Sequence, residues 1–403
     1  MGSIKIGILK EGRIPTDKRV PLLPEQCKQL AETHPNLEFF IQPSQERCIK
    51  DGEYAANGIE LKEDLSECDI LFGVKEVPIP LLMHDKTYFF FSHTIKKQPH
   101  NRKLLQTIME KKITLIDYEC LTDVNGNRII AFGKYAGIVG CYNALKTYGE
   151  KYKLYSLKPA FKCFDFEEVK TEMKKIKLPA IKIVLTGSGR VSKGVEEVLE
   201  LLKIKKVEPK EFLSEKFEQP VYCNPKSSDY YRHKITKNFD SDFYHNPHNY
   251  YSTFYKFSSA ADILVAGAYW NPDAPSLFTK EDMYREDFRV KVVADITCDI
   301  NGSIPCTKRA SSINDPVYDY NPYTGELELA FSDKNNISVM AIDNLPGELS
   351  RDASKDFGTQ LMNNVIVPLL GYDPDNVIER GKITNKGKLT SRFKYLEDFV
   401  NYD

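Results

Sequence analysis

The chain has 403 residues, a length that sets a prior of two or three domains and leaves ample material for a substantial core. Lys plus Arg (56) nearly cancels Asp plus Glu (57), so no global field recruits nucleic acid or an anionic membrane, and a small-molecule function fits better. No stretch approaches the roughly twenty apolar residues that a membrane helix needs.

The amino terminus runs at once into a strand rather than a charged and apolar leader, which predicts a cytoplasmic protein. Nine cysteines are scattered from Cys27 to Cys306 with no Cys-x-x-Cys. They argue against a disulfide framework and a structural zinc, so no metal is expected.

Residues 4–9 read as a short apolar strand leading through Arg13 and Arg19 to a helix near Glu25, with Pro24 suited to its first turn. Residues 37–41, 70–74, 88–91 and 113–117 read as further strands, separated by a short helix and turn over 51–58 and a helix over 101–111. Such alternation predicts a mainly parallel sheet covered by helices on both faces. Functional groups of such a sheet collect at the carboxyl ends of its strands. Arg13 and Arg19, Lys75 with Glu76, His93 and Glu119 each follow a strand end.

Residues 136–148 read as a helix, with Gly137 and Gly140 permitting close approach to a neighbour, and a lysine-rich segment follows over 151–177. Residues 180–202, AIKIVLTGSGRVSKGVEEVLELL, then give a strand, a glycine turn and a helix in immediate succession. Gly187 and Gly189 let the backbone turn sharply beside a bound group, and the following helix terminus favours an anion such as a pyrophosphate. Glu208, about twenty residues on after a short strand at 206–207, stands where a ribose-binding carboxylate is expected. Ser192 replaces the third glycine of the fingerprint, and a Gly-x-Gly turn also occurs without any ligand, so the motif alone leaves both readings open.

Further strands are expected at 263–267, 290–296 and 337–342, with a largely helical stretch over 346–370 that returns to the first domain. Residues 227–257 are aromatic and polar without a clear period and read as an excursion. His245 and His248 within it lack a carboxylate or cysteine pattern for a metal.

A glycine-cradled dinucleotide implies hydride transfer, with the protein positioning the substrate and moving protons. Lys75 and His93 are titratable groups on strand ends that could serve as acid and base. Arg19 and Arg128 suit bidentate capture of carboxylates. Each also has a purely structural reading that spacing alone does not remove.

With these residues assembled, the sequence resembles the saccharopine dehydrogenase (lysine-forming) family, and in particular its lysine-ketoglutarate reductase domain, with alanine dehydrogenase and transhydrogenase N-terminal domains as more distant kin. The resemblance is carried by Lys18-Arg19-Val20-Pro21-Leu22, Gly73-Val74-Lys75-Glu76, Phe91-Ser92-His93-Thr94, Asp117-Tyr118-Glu119 and Arg128-Ile129-Ile130-Ala131-Phe132-Gly133. In the second half it runs through 186–194, Val207-Glu208-Pro209, Ala268-Tyr269-Trp270, Asp295-Ile296 and Ile342-Asp343-Asn344-Leu345.

The resemblance implies that Lys75 and His93 are the acid–base pair, and that Arg19, Gln98, Arg128 and Phe132 line the substrate site, with Glu76 and Glu119 tuning the pair. It assigns Gly187, Ser188, Gly189, Arg190, Val191, Glu208, Tyr269, Asp295, Ile296, Ile342, Asp343, Asn344 and Leu345 to the cofactor. Glu208 followed by Pro209 and Lys210 looks like the NADPH-using members, whereas the ribose rule favours NAD, so both NAD and NADP stay open.

The implied fold is α/β, two Rossmann-like doubly wound parallel-sheet domains with a cleft between them. Residues 1–135 with 343–403 form the substrate domain, and 136–342 the dinucleotide-binding domain. The implied reaction interconverts saccharopine with L-lysine and 2-oxoglutarate. An alanine dehydrogenase-type amino-acid dehydrogenase and a non-catalytic NAD(P)-binding module are the rivals. The expected partners are amino-acid and 2-oxo-acid substrates, and the oligomeric state is not legible.

Overall fold

A computed structural model describes residues 3–401. The chain divides into two compact units, one made of Met1–Phe132 and Ser350–Asp403, the other of Gly133–Leu349. Residues 133–135 and 343–349, expected with the first domain, therefore stay with the second unit.

The first unit is built on an eight-stranded sheet. Six parallel strands run in the order Thr114–Asp117, Thr87–Phe90, Ile70–Phe72, Ile4–Ile8, Leu37–Ile41 and Glu60–Leu61. Their apolar runs are buried, as expected of a parallel sheet with both faces covered. Strand order reverses between Ile4–Ile8 and Ile70–Phe72, so the crevice where such sheets carry ligands lies past the ends of those two strands.

An antiparallel hairpin, Lys382–Asn385 and Lys388–Leu389, extends the sheet beyond Thr114–Asp117. Its turn uses positive φ at Lys386 (47°) and Gly387 (77°), the pattern of a tight two-residue hairpin. The Ser350–Leu361 helix belongs to this unit, and its Phe357 stacks flat on Phe132 with centroids 4.4 Å apart.

The second unit repeats the architecture. Its sheet runs Leu327–Glu328, Val317–Tyr320, Ile337–Met340, Val292–Asp295, Ile263–Ala266, Lys182–Thr186, Val221–Cys223, Lys205–Lys206. The first two are antiparallel additions and the rest are parallel. Order reverses between Lys182–Thr186 and Ile263–Ala266, where the glycine turn emerges.

The Gly133–Lys151 helix covers one face. A Cβ on Gly137 would overlap the carbonyl oxygen of Val191, and one on Gly194 would overlap that of Lys134. Glycine at both places is what lets this helix cross Arg190–Leu201 at backbone contact. Gly140 instead faces the side chain of Ile296, whose Cδ1 would lie 2.5 Å from an added Cβ.

The aromatic segment is not a surface excursion. It folds into a short helix, Ser227–Tyr230, and a two-stranded ribbon, Tyr231–His233 with Tyr250–Ser252. Tyr230, Tyr231, Phe243, Tyr250, Phe254 and Phe257 are buried in one cluster with Val184, Leu264 and Val293 of the sheet. Tyr231 stacks on Phe243 at 4.4 Å. Aromatic area here does the work that a regular covering helix does elsewhere, which is why no helical period is visible in the sequence.

Among the described residues no helix is long and apolar enough to cross a membrane, and no group of three His, Cys, Asp or Glu side chains is placed to hold a metal ion.

Candidate active site

In the first unit the strand ends bring one group of charged side chains together. Lys75 stands three residues beyond Ile70–Phe72, and its Nζ has no hydrogen bond or ion pair among the described residues. Burial, with the charge of Arg19 second, holds this amine below the ordinary lysine range.

His93 follows Thr87–Phe90 with φ 54°, a left-handed conformation uncommon for a residue with a side chain. Its Nδ1 is hydrogen-bonded to Oε1 of Glu76. Burial raises the Glu76 carboxyl, but the hydrogen bond and charge of His93 outweigh that and leave it lowered. A carboxylate facing Nδ1 fixes the proton there in the neutral ring and leaves Nε2 to exchange a proton with substrate.

The turn that carries His93 is anchored by Asp117, a fully buried carboxylate at the end of the next strand. It accepts the backbone N–H of Ser92 at 2.8 Å, the Ser92 hydroxyl, and the N–H of Glu119 at 2.7 Å. One side chain thereby fixes the entry to His93 and the position of Glu119, at the cost of burial, which raises its own pKa.

Glu119 is buried. Its Oε1 bonds to Arg128 and lies 3.8 Å from Lys96, while Oε2 is buried without a hydrogen-bond partner among the described residues. Arg128 is half-exposed. Gln98 is exposed and precedes the Pro99–Glu110 helix. A cavity of about 280 Å³ lies against Glu76 and Arg13, lined also by Pro78, His100 and Asn101.

Arg19 differs from the expectation of a guanidinium open to substrate. It is buried, with Nε 2.9 Å and Nη2 2.6 Å from the two carboxylate oxygens of Asp17, and it sits 4.1 Å from the Phe132 ring centroid. Asp17 already occupies the planar fork that would capture a substrate carboxylate. Burial raises the Asp17 carboxyl, but the charge and hydrogen bonds of Arg19 prevail and hold it well below the usual carboxylate range.

In the second unit the glycine turn has the features of an anion cradle. Gly187 has φ +100°, and a Cβ there would come within 2.7 Å of Ser192 Oγ and 2.9 Å of the Ala268 backbone, so glycine is required by the fold. Gly189 has ordinary backbone angles, and a Cβ on it would meet nothing within 4 Å. That open space lies at the start of the twelve-residue Arg190–Leu201 helix, whose amino-terminal dipole end favours an anion.

Ser192, at the place of the third glycine, is buried and donates to the carbonyl of Thr186 at 3.2 Å. The Thr186 hydroxyl is buried without a partner among the described residues. Ser188 and Arg190 are exposed, and Val191 is half-buried.

Three of the expected cofactor motifs stand as follows. The Lys205–Lys206 strand is the outer edge strand, and Val221–Cys223 lies between it and Lys182–Thr186. Glu208 is therefore two strand spacings from the glycine strand, roughly 10 Å, and not at the end of its neighbour. Asp295 is buried, its Oδ1 taken by Thr297 and Cys298 and its Oδ2 by the Thr307 hydroxyl at 2.7 Å. Ile342 and Leu345 are core residues, leaving Asp343 and Tyr269 as the exposed members of their motifs and Asn344 half-buried; Ile296 is half-buried against Gly140.

Residues 7–139 match the family described as alanine dehydrogenase/PNT, N-terminal domain. The alpha-aminoadipic semialdehyde synthase of Arabidopsis thaliana is 30% identical over 98% of this chain and 41% of its own length. The mitochondrial enzyme of that name from Rattus norvegicus is 30% identical over 94% of this chain and 46% of its own. The saccharopine dehydrogenase [NAD(+), L-lysine-forming] of Emericella nidulans is 25% identical, and the match covers 91% of this chain and 92% of the relative.

The chain is thus similar along nearly all of its length to saccharopine dehydrogenases and to part of alpha-aminoadipic semialdehyde synthases. It spans less than half the length of the two synthases. Among solved structures, an L-alanine dehydrogenase shares the fold at TM-score 0.64 and 16% identity, covering 96% of this chain and 97% of that one. The transhydrogenase of Sinorhizobium meliloti does so at 0.60 and 13%, covering 96% and 98%.

Sequence reasoning passed over Glu11, Asp17 and Asp117. Asp117 ends a parallel strand, Glu11 lies three residues past one, and Asp17 lies further along the same connection. The strand-end rule that picked out Lys75 and His93 applies to them equally, but their partners are backbone and side chains of this same chain, which no motif announces.

Proposed function

We propose that the chain is an NAD(P)-dependent oxidoreductase acting at a C–N bond, interconverting saccharopine with L-lysine and 2-oxoglutarate. The observation that carries this reading is the strand-end group of Lys75, with its uncommitted amine, beside the His93–Glu76 pair. It is supported by similarity to a lysine-forming saccharopine dehydrogenase along nearly the whole of both chains.

The first unit is then the substrate domain and the second the dinucleotide domain. Gly187, Gly189 and the Arg190–Leu201 terminus would hold the pyrophosphate, with Ser188, Val191, Tyr269, Asp343 and Asn344 bordering the cofactor. When bound, NAD(P)H supplies the hydride that reduces an imine carbon, or NAD(P)+ accepts it in reverse.

The chain's own work is proton movement and orientation. The ε-amine of lysine must be neutral to attack the keto carbon of 2-oxoglutarate, and the carbinolamine must gain a proton on oxygen to lose water. Lys75, with its pKa lowered by burial, and Nε2 of His93 are the groups suited to those two transfers. Arg128, half-exposed and anchored on Glu119, is better placed than the buried Arg19 to take up a substrate carboxylate. Arg19 acts by holding Asp17 beside Lys75, and Gln98 and Phe132 complete the lining.

The cytoplasmic location expected from the sequence stands beside relatives whose names include the word mitochondrial, and cell fractionation decides it. The test of function is a substrate panel followed by NAD(P)H absorbance. Lysine plus 2-oxoglutarate should consume reductant, whereas ammonia plus pyruvate should not; consumption only with the second pair would overturn the reading in favour of an alanine dehydrogenase activity.

A further inference from the structure

We infer that Glu11 is a positioning residue for Lys75, a buried carboxylate whose two oxygens fix the successive backbone N–H groups of the turn that presents the amine. The inference rests on the proposed role of Lys75 for its catalytic meaning, and on geometry for its structural one.

Strand Ile4–Ile8 runs beside Ile70–Phe72 in register from Ile6 with Ile70 to Ile8 with Phe72, and the N–H of Leu9 still bonds to Phe72 at 2.9 Å. Past that point the ladder ends, because the two chains diverge at the place where strand order reverses. Two donors of the second chain would be left without partners. Glu11 supplies both: Oε1 accepts the N–H of Val74 at 2.7 Å, and Oε2 accepts that of Lys75 at 2.9 Å. On the opposite side the Val74 carbonyl accepts the N–H of Phe91 at 3.0 Å. The Gly73–Lys75 backbone is thus held from both neighbouring strands while the Lys75 side chain stays free.

Only a carboxylate does this. A glutamine has one acceptor oxygen, and its amide nitrogen would face an N–H donor. An aspartate keeps both oxygens but withdraws them by one methylene.

The groups around Glu11 are Asp17 and Arg19 from its own connection, Lys75 from the adjoining strand end, and Tyr118, whose buried hydroxyl has no hydrogen-bond partner among the described residues, from the turn after Thr114–Asp117. Burial pushes the Glu11 carboxyl up to about 7. Protonation places a hydrogen on one of the two accepting oxygens, so the clamp on Val74 and Lys75 is whole at alkaline pH and half-released in mild acid.

The experiment compares wild type, Glu11→Gln and Glu11→Asp in the intact chain. The first readout is hydrogen exchange of the peptide containing Val74 and Lys75. At pH 8, Glu11→Gln should lose protection at these amides by about tenfold or more, the scale of one lost buried hydrogen bond, and Glu11→Asp should restore part of it. Unchanged protection in a folded Glu11→Gln protein overturns the inference outright.

The second readout is turnover across pH with lysine, 2-oxoglutarate and NAD(P)H. Glu11→Gln should lower kcat by about a hundredfold, as a displacement near 1 Å does, with the dissociation constant of NAD(P)H unchanged and the rise in kcat near pH 7 altered. Lost protection with kcat and pH profile intact would reduce Glu11 to a structural clamp and overturn its positioning role. A wild type without turnover would instead refute the proposed function, while the exchange measurement still decides the clamp.

Discussion

The two glycines of the proposed cofactor turn should fail in opposite ways when each is changed to alanine. At Gly187 the backbone has φ +100°, and the added methyl would press within 2.7–2.9 Å of Ser192 Oγ and the Ala268 backbone. A left-handed conformation costs about 1–2 kcal/mol for a residue with a Cβ, and overpacking adds about 1–3 kcal/mol. Gly187→Ala should therefore lose about 2–5 kcal/mol, which for a unit of this size lowers Tm by about 4–20 °C.

Gly189→Ala meets nothing within 4 Å and has φ −86°, so its Tm without ligand should match wild type. A methyl there would occupy the space an approaching pyrophosphate needs. Wild type at NADH or NADPH a hundredfold above its dissociation constant should gain about 2.7 kcal/mol, and Gly189→Ala should lose most of that gain. The assay is thermal unfolding with and without each nucleotide, paired with calorimetric binding. Full ligand stabilisation in Gly189→Ala would mean no pyrophosphate passes there. Equal apo Tm for the two variants would refute the packing argument at Gly187.

Four further outcomes follow. His93→Gln and Lys75→Met should each lower turnover by about a hundred- to ten-thousandfold with nucleotide affinity little changed, and the double variant should be less damaged than the product of the two, since both serve one proton chain; parallel loss of nucleotide binding would move the residues to the cofactor site. Glu208→Ala should change the preference between NADH and NADPH by no more than about twofold, roughly the scatter expected where no contact is lost, because the Val221–Cys223 strand separates Glu208 from the glycine strand; a larger change in the ratio of dissociation constants would restore Glu208 to the ribose. Phe357→Ala should cost about 3–5 kcal/mol in denaturant unfolding, since the ring is fully buried and stacks on Phe132; a cost under about 1 kcal/mol, the scale of a surface change, would show that the stack is not formed. Glu348 is buried and accepts from Asn143 at 2.8 Å, and burial raises its carboxyl to about 7. The folded state then holds a proton that the unfolded chain releases near 4.5, so this stability is fully present below about pH 4.5 and lost as pH rises through about 7, by at most about 3 kcal/mol. Glu348→Gln should gain on wild type between pH 5 and 8, and parallel curves would refute the burial argument.

Much of the fold was legible because apolar runs such as Ile263–Ala266 and Val292–Asp295 are buried on both sides and alternate with amphipathic helices. What escaped were elements too short or too context-bound to leave a period. Val221–Cys223 has three residues, yet its insertion between two other strands decides where Glu208 lies. The Lys382–Asn385 hairpin carried a Lys386-Gly387 turn signal, but its strands lack the alternation that would have drawn notice. The aromatic segment has no period because its rings pack on one another and on the sheet rather than along a helix face.

The site shows the same division. Lys75, His93, Glu76 and Glu119 could be found from sequence because each follows the end of a parallel strand, and a parallel sheet gathers its carboxyl ends on one edge whatever the intervening loops contain. Arg19 obeys the same rule and yet is turned inward, because Asp17 stands two residues before it and satisfies its guanidinium. A strand-end position says where a side chain starts; whether it faces substrate depends on which partners its own chain supplies. In this protein the inward-facing carboxylates Glu11, Asp17 and Asp117 hold the backbone turns and the arginine around Lys75 and His93. Each is buried at a cost to its charged form, which Arg19 more than offsets at Asp17 and which the donors at Glu11 and Asp117 offset only in part. The groups proposed to face substrate and the carboxylates that hold their turns thus lie along one edge of the sheet, separated by partner rather than by position.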